Sequence, residues 1–171
     1  MALTAAHCIE GYEDGRDPGM TVRLSDGELY RISEFRANDC FEFGWNFWLT
    51  YTHDIAIMIL DRPIPNAVEG RHYVKTWDVE TMGSEVGKQF IVAGWGASGE
   101  IRDDGDESHQ QSEVFHRGYN VFHSVRNDML LYYMDRPEDG GLELEAQGYY
   151  GDSGSGALIE RDGQLHIAGV A

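Results

Sequence analysis

Short segments of alternating polarity, separated by turns that contain glycine, are the first feature of the chain. Polar and apolar residues alternate over Thr21–Leu24 and again over Leu29–Ile32, with the dipeptide Asp26-Gly27 between them. Alternation on both sides of an Asp-Gly pair is typical of a β-hairpin. The same arrangement recurs near the end of the chain, where Asp162-Gly163 separates two apolar segments. We expect a hairpin at each place.

Apolar runs of strand length occupy the middle of the chain. Every residue of Ile55–Leu60 is apolar, a pattern that favours a strand buried on both faces. Prolines follow at positions 63 and 65, and we expect the strand to end before them because proline cannot donate to a sheet ladder. We expect the next strand at Gln89–Gly96 and further strands within residues 114–134. The sequence shows no long helical periodicity, so it predicts an all-β fold.

The charge and the apolar content restrict the classes of function. The chain has 30 acidic and 13 basic residues, and its formal net charge is −17. A nucleic-acid-binding protein needs a basic surface, so this composition argues against one. The longest apolar runs are far shorter than the roughly 20 residues of a membrane-spanning helix, and no signal peptide is visible. We therefore expect no nucleic-acid partner and no membrane span.

The candidate chemistry lies in three stretches. Gly151–Gly156 places Ser153 in a turn with little side-chain bulk, as an exposed nucleophile requires. Thr4–Cys8 contains His7, and Asp54 directly precedes the apolar run described above. A serine needs a base to take its proton, and a histidine oriented by a carboxylate is such a base. His7, Asp54 and Ser153 are therefore a candidate catalytic triad.

These stretches resemble the active-site signatures of the chymotrypsin-like (trypsin-family, S1) serine proteases. The Thr-Ala-Ala-His-Cys, Asp-Ile-Ala and Gly-Asp-Ser-Gly blocks match in sequence, order and approximate spacing. Val92–Gly96 resembles the Gly-Trp-Gly strand of the same family. An α/β-hydrolase also has a serine between glycines, but its triad runs in the order serine, acid, histidine. The order in this chain is that of the chymotrypsin-like family.

The resemblance implies a fold of two antiparallel six-stranded-type β-barrels. The first would occupy residues 1–75 and contain His7 and Asp54, and the second would occupy residues 76–171 and contain Ser153. The chain begins almost directly on the histidine block and stops within an apolar run. We therefore expect both barrels to be incomplete at the chain ends.

For the reaction, the resemblance implies a serine endopeptidase that hydrolyses peptide bonds through an acyl-enzyme. Ser153 is then the nucleophile, His7 the general base and acid, and Asp54 the group that orients His7. The N–H groups of Gly151 and Ser153 are then the donors of the oxyanion hole. The alternative left open is a protease-like binding module, or an inactive fragment, without catalysis.

The expected specificity pocket departs from the trypsin pattern. Gln147 stands six residues before the nucleophile, where trypsin-like members have an aspartate, so the resemblance implies no preference for Arg or Lys. Tyr149 stands where the family usually has a cysteine, and we expect it to shape the pocket together with Tyr150. In most digestive and regulatory members, the residue corresponding to Asp152 pairs with a freed N-terminus. This chain has no such N-terminus before His7, so we expect Asp152 to lack its partner.

The resemblance also implies polypeptide substrates and protein inhibitors as partners, and an extracellular or secretory location. We predict no cofactor and no metal site. The acidic loop 102–107 loosely resembles a Ca²⁺ loop but lacks the EF-hand pattern. His109, His116 and His123 recur at intervals of seven residues, which is not a zinc spacing.

Two further features leave alternatives open. The stretch 38–52 is rich in aromatic residues and predicts either a loop folded over the first barrel or a wall of the substrate pocket. Cys8 and Cys40 are the two cysteines. In the family, the cysteine after the catalytic histidine pairs with one upstream, so we favour two free thiols here over a Cys8–Cys40 bridge.

Overall fold

The computed structural model describes most of the chain. The described residues are 1–9, 19–41, 53–65, 67, 83–101, 107–110, 114–126 and 129–171. The chain divides into two compact units, Met1–Glu69 and Gly70–Gly169, with Val170 counted in the first and Ala171 in the second. Each unit has sheets of its own.

The first unit contains a four-stranded antiparallel sheet. Its strands are β1 (Ala2–Thr4), β2 (Thr21–Arg23), β3 (Leu29–Ala37) and β4 (Ala56–Leu60), in the spatial order β1-β4-β3-β2. β2 pairs with β3 across the Asp-Gly dipeptide, with Val22 opposite Tyr30. Gly27 has a φ of 88°, in the left-handed region that glycine tolerates. The first predicted hairpin is confirmed.

The long strand β3 supplies much of the first unit's core. Tyr30 and Ile32 are buried and alternate with exposed neighbours. The pairing with β4 then shifts between Ile32 and Glu34, as in a β-bulge. After the shift, Phe35 is the next fully buried position, and it packs with Ile9 in a second apolar cluster.

The prediction that Ile55–Leu60 is buried on both faces is wrong. Ala56 and Leu60 are buried, but Ile55 is 37% and Ile57 is 41% exposed. β4 belongs to an antiparallel sheet, which can pack one face on the core and leave the other in water. The strand therefore exists where the sequence predicts it, with one apolar face exposed.

The second unit contains a four-stranded sheet and two short ribbons within the described residues. The strands are β5 (Gln89–Gly94), β6 (Ser98–Ile101), β7 (Glu107–Gln110), β8 (His116–Val121), β9 (Ser124–Arg126), β10 (Met129–Leu131), β11 (Gly156–Arg161) and β12 (Gln164–Val170). The sheet has the order β12-β11-β5-β8, β6 pairs with β7, and β9 pairs with β10. A 3₁₀ helix covers Pro137–Asp139.

Aromatic rings form the core of the second unit. Phe90 stacks on Phe122 with ring centroids 3.9 Å apart, and Tyr132 meets Phe90 edge-on. Between β11 and β12, Asp162 and Gly163 both have a positive φ, 54° and 70°, as a two-residue type I′ hairpin turn requires. The second predicted hairpin is confirmed.

The all-β prediction is also confirmed. The described residues form twelve strands, β1 to β12, and only two short 3₁₀ helices, at Ala6–Ile9 and Pro137–Asp139. A curled half-barrel sheet is consistent with the chymotrypsin-like class. Within the described residues, no helix has the length and apolar character needed to cross a bilayer.

Several sequence predictions fall on parts of the chain outside the described residues. These include residues 102–106 of the acidic loop, the side chain of His109, and residues 42–52 of the aromatic stretch. Phe41, at the start of that stretch, packs against the first unit's core. The structure shows no cluster of three metal-ligating side chains among the residues it describes.

Candidate active site

Strand pairing in the first unit brings His7 and Asp54 together. β1 and β4 are antiparallel, and their pairing ends with Thr4 opposite Ala56. His7 lies on the 3₁₀ helix Ala6–Ile9, which follows β1, and Asp54 lies just before β4. The two side chains therefore leave the sheet at the same end, although they are 47 residues apart in the chain.

The Asp54 carboxylate binds His7 through both of its oxygens. Oδ2 lies 2.6 Å from the ring Nδ1, and Oδ1 accepts the backbone N–H of His7 at 2.8 Å. The two side chains are only 26% and 17% exposed. A proton on Nδ1 completes the bond to Oδ2 and leaves Nε2 as the basic nitrogen of the ring. One carboxylate thus fixes both the position and the tautomer of the imidazole.

The residue before Asp54, His53, has a strained backbone conformation. His53 has a φ of 58°, the left-handed region that residues with a Cβ seldom adopt. The Ile55 N–H donates to the His53 carbonyl at 2.8 Å and closes a tight turn around Asp54. The Asn38 N–H donates to the Ile55 carbonyl at 2.9 Å and ties this turn to the residue after β3.

The Cys8 thiol lies beside the same imidazole. Its Sγ is 3.8 Å from His7 Nε2, and both Cys8 and Cys40 are free thiols. Burial raises the pKa of the Cys8 thiol, and a hydrogen bond with Thr4 opposes that rise. Cys8 is therefore a protonated neighbour of the histidine at neutral pH.

In the second unit, Ser153 lies at the exposed tip of a tight turn. Gly151 and Gly154 flank the Asp152-Ser153 pair with φ values of 93° and 83°. The turn is closed by Asp152 N–H to the Tyr149 carbonyl and by Ser155 N–H to the Asp152 carbonyl, both at 2.9 Å. The predicted need for glycine on both sides of the serine is met by the two positive φ angles.

The turn is also bound to the end of the chain. Gly154 N–H donates to the Ala171 carbonyl at 2.7 Å, and Ala171 N–H donates back to the Ser155 carbonyl at 2.9 Å. These two bonds continue the sheet beyond β12 and hold the residues that follow the serine. The serine therefore stands on a fixed backbone.

The Asp152 carboxylate accepts hydrogen bonds from two backbone N–H groups, although no N-terminal amine pairs with it among the described residues. Its Oδ1 accepts the Gly96 N–H at 2.8 Å, and its Oδ2 accepts the Tyr149 N–H at 3.0 Å. A Cβ on Gly94 would overlap Oδ1, and one on Gly96 would lie 2.6 Å from the carboxylate carbon. The carboxylate fits against this strand because both residues lack a side chain.

Sequence reasoning missed this contact. The sequence shows Gly94 and Gly96 only as part of a Gly-Trp-Gly strand, and 56 residues separate Gly96 from Asp152. The available signal was the pair of glycines in a strand, which marks a place where another part of the chain approaches closely. Nothing in the sequence identified which part.

A comparison with known protein families identifies the chain. The family model named Trypsin matches residues 1–171. The chain belongs to the trypsin family. This family consists of serine proteases, which hydrolyse polypeptides and are typically secreted. No curated protein matches the chain at a significant level.

In this trypsin-family chain, two backbone donors beside Ser153 are unoccupied. Within the described part of the second unit, neither the Gly151 N–H nor the Ser153 N–H donates to a protein acceptor. The N–H groups between and beyond them, of Asp152, Gly154 and Ser155, are all bonded. The turn thus leaves its two predicted oxyanion donors available to a ligand.

Two of the three residues predicted for the specificity pocket line a cavity, and the third does not. Gln147 and Tyr149 line a cavity of about 280 Å³, and Asp152 lines the same cavity. Tyr150 is not among the lining residues; it is 63% exposed, and its ring meets Tyr149 edge-on at 4.9 Å. The structure therefore brings together two of the three predicted pocket residues.

The segment that leads to Gln147 is held by a residue that the sequence did not single out. Asn120 is fully buried, and its amide donates to the carbonyls of Tyr133 at 3.0 Å and Ala146 at 3.1 Å. Ala146 directly precedes Gln147. A buried asparagine that bonds two separate segments fixes their spacing, because leaving either carbonyl unpaired is costly.

Proposed function

We propose that this protein is a serine endopeptidase in which Ser153, His7 and Asp54 form the catalytic triad. The observation that carries the proposal is the double hydrogen bond from Asp54 to His7, through the ring Nδ1 and the backbone N–H. This arrangement leaves Nε2 basic, as a general base requires.

The mechanism follows from the roles of these groups. Ser153 Oγ attacks the carbonyl carbon of the scissile peptide, and His7 Nε2 takes the hydroxyl proton. The C–N bond then breaks, the new imidazolium gives its proton to the leaving amine, and an ester to Ser153 remains. His7 then takes a proton from water, and the water oxygen attacks the ester carbon. The acid product leaves, and His7 returns the proton to Ser153 Oγ.

Charge stabilisation supports two stages of this reaction. The oxyanion of each tetrahedral intermediate accepts hydrogen bonds from the N–H groups of Gly151 and Ser153, and removal of one such donor costs about 3–4 kcal/mol in comparable sites. The Asp54 carboxylate lies beside the ring when His7 is protonated, so it stabilises the positive charge.

Substrate selection rests on the pocket residues Gln147 and Tyr149, which line the cavity beside Asp152; the third residue predicted for the pocket, Tyr150, lies outside the cavity and contacts Tyr149. Gln147 carries a neutral amide, so it offers no charge to pair with a substrate Arg or Lys side chain. The proposed substrates are therefore polypeptides with no requirement for Arg or Lys at the bond that is cleaved, and protein inhibitors would bind the same site. Following the family, we place the protein in the secretory pathway or outside the cell.

Labelling with a fluorophosphonate probe tests the proposed function. The probe phosphonylates an activated serine, so the wild-type protein should be labelled and Ser153→Ala should not. Ser155→Ala is the matched control, since Ser155 lies on the same turn, and it should be labelled like the wild type. Equal labelling of the wild type and Ser153→Ala would overturn the proposal. So would an unlabelled wild-type protein that still binds peptides, because it would be a binding module.

A further inference from the structure

An exposed aromatic pair stands at the open end of the β5–β8 ladder. The last pair of the ladder is Gly94 opposite His116; Trp95 directly follows β5 and Phe115 directly precedes β8. Their ring centroids are 4.6 Å apart, yet Trp95 is 58% and Phe115 is 48% exposed. Large aromatic side chains left together in water mark a binding surface more often than isolated ones do.

The pair is tied to the turn that carries Ser153. Gly96, the residue after Trp95, donates its N–H to Asp152 at 2.8 Å, and Ala97 N–H donates to the Tyr150 carbonyl at 2.8 Å. Through the covalent path and the Gly96–Asp152 hydrogen bond, the Cα atoms of Trp95 and Ser153 are at most about 13 Å apart. Because extended chain advances about 3.4 Å per residue, that distance corresponds to about four residues of a bound peptide.

We propose that Trp95 and Phe115 form a subsite that binds an apolar side chain of the polypeptide substrate, within about four residues of the scissile bond. The inference rests on the proposed function, since it takes the occupant to be a substrate of the Ser153 site. The two rings, in contact at an angle of 54°, are a rigid apolar surface, so little side-chain entropy is lost when an apolar residue packs on them.

The neighbouring charge and the exposed area of the two rings favour an apolar substrate side chain as the occupant. Arg117 lies two residues after Phe115 and is exposed, so the local charge does not favour a basic side chain. The exposed halves of the two rings together offer on the order of 200 Å². A stable dimer buries about 800 Å² on each partner, so the patch is the size of a side-chain subsite and too small for a second copy of the chain.

The test measures peptide binding without catalysis, in a Ser153→Ala background. Fluorescently labelled Ser/Gly peptides, each with a single Phe at a scanned position, are compared by anisotropy with the same peptides that carry Ser there. Phe115→Ala should weaken binding of the best Phe peptide about tenfold, as expected for losing about half of the burial of a phenyl group. It should leave binding of the Ser peptides unchanged.

Control variants separate the subsite from folding. Leu165→Ala removes another exposed apolar side chain, 50% exposed on β12, and should change neither affinity. Phe115→Leu keeps an apolar group at the ladder end and should weaken binding of the Phe peptide about threefold. It takes the place of Phe115→Ala in the test if that variant does not fold. Thermal melting verifies that each variant is folded.

The outcomes separate this inference from the proposed function. If folded Phe115→Ala or Phe115→Leu bound the Phe peptide as tightly as the Ser153→Ala parent does, the subsite would be overturned. This holds even if Ser153 is labelled by the fluorophosphonate in the wild type. A Phe115-dependent preference in a protein whose Ser153 is never labelled would support the subsite and overturn the peptidase. Self-association in sedimentation that Phe115→Ala abolishes would make a second copy the occupant and overturn the subsite.

Discussion

Replacing Gly94 by alanine tests how the serine turn is held. Gly94 lies in β5 with an ordinary strand φ, and it is buried under the Asp152 carboxylate. The added methyl group would overlap Asp152 Oδ1 and lie 2.8 Å from Cγ. The carboxylate must then turn away, and it gives up the N–H bonds from Gly96 and Tyr149.

The size of the effect follows from these contacts. Overpacking by one methyl group costs about 1–3 kcal/mol, and a hydrogen bond to a charged group contributes about 1.5–3 kcal/mol. Asp152 is only partly buried, so the displaced carboxylate regains some hydration. We expect the free energy of unfolding to fall by about 2–4 kcal/mol. Displacement of the adjacent oxyanion donors should lower kcat by about 10²–10³.

Urea unfolding and peptide hydrolysis measure the two effects. The matched control is Gly169→Ala, a strand glycine whose added Cβ would lie 3.8 Å from Leu130, an ordinary contact distance. The control should change the unfolding free energy by less than about 0.5 kcal/mol and leave kcat near that of the wild type. If the two variants had the same stability and the same kcat, the account of the Asp152 contact would be refuted.

Four further predictions concern the first unit. Asp54→Asn should lower kcat about 10⁴-fold, because the amide favours the wrong ring tautomer; steady-state kinetics would show an unchanged rate if the carboxylate had no such role. His7→Ala should lower kcat by orders of magnitude with little change in KM, and equal rates would remove His7 from the mechanism. His53→Val should cost about 1–2 kcal/mol of stability in chemical denaturation, because a β-branched residue resists a positive φ, whereas His53→Gly should cost less than about 1 kcal/mol. Iodoacetamide should modify Cys8 more slowly than the exposed Cys40 at pH 8, because burial raises the pKa of Cys8 and lowers its thiolate fraction. The rate of modification of Cys8 should increase as the pH rises. Equal rates for the two cysteines, measured by peptide mass spectrometry, would contradict this.

Local sequence patterns predicted the hairpins and the strands well, because their causes are local. Gly27 in the first hairpin, and Asp162 with Gly163 in the second, adopt the positive φ angles that close the turns, and the buried residues of β3 alternate with exposed ones over 29–32. The exposure of Ile57 was not predictable in this way. It depends on which face of the sheet packs on the core. A run that is apolar at every position does not indicate which face that is.

The features of the candidate site that the sequence did not predict depend on contacts between distant segments. The motifs identified His7 and Asp54, but the second bond, from the His7 backbone to Oδ1, depends on the register of β1 against β4. The Gly96–Asp152 hydrogen bond and the bonds made by Asn120 join segments that no local pattern relates. The boundary between barrels at residues 75 and 76 and the assignment of the triad remain predictions.

The most direct test of the central claim is the identity of the residue that becomes acylated. The protein is mixed with a p-nitrophenyl ester, quenched within one turnover and digested, and the acyl group is located by mass spectrometry. The account predicts a burst of one p-nitrophenol per chain and an acyl group on Ser153, with Ser155→Ala unchanged and no burst in Ser153→Ala or His7→Ala. An acyl group on another residue, or an undiminished burst in Ser153→Ala, would contradict it.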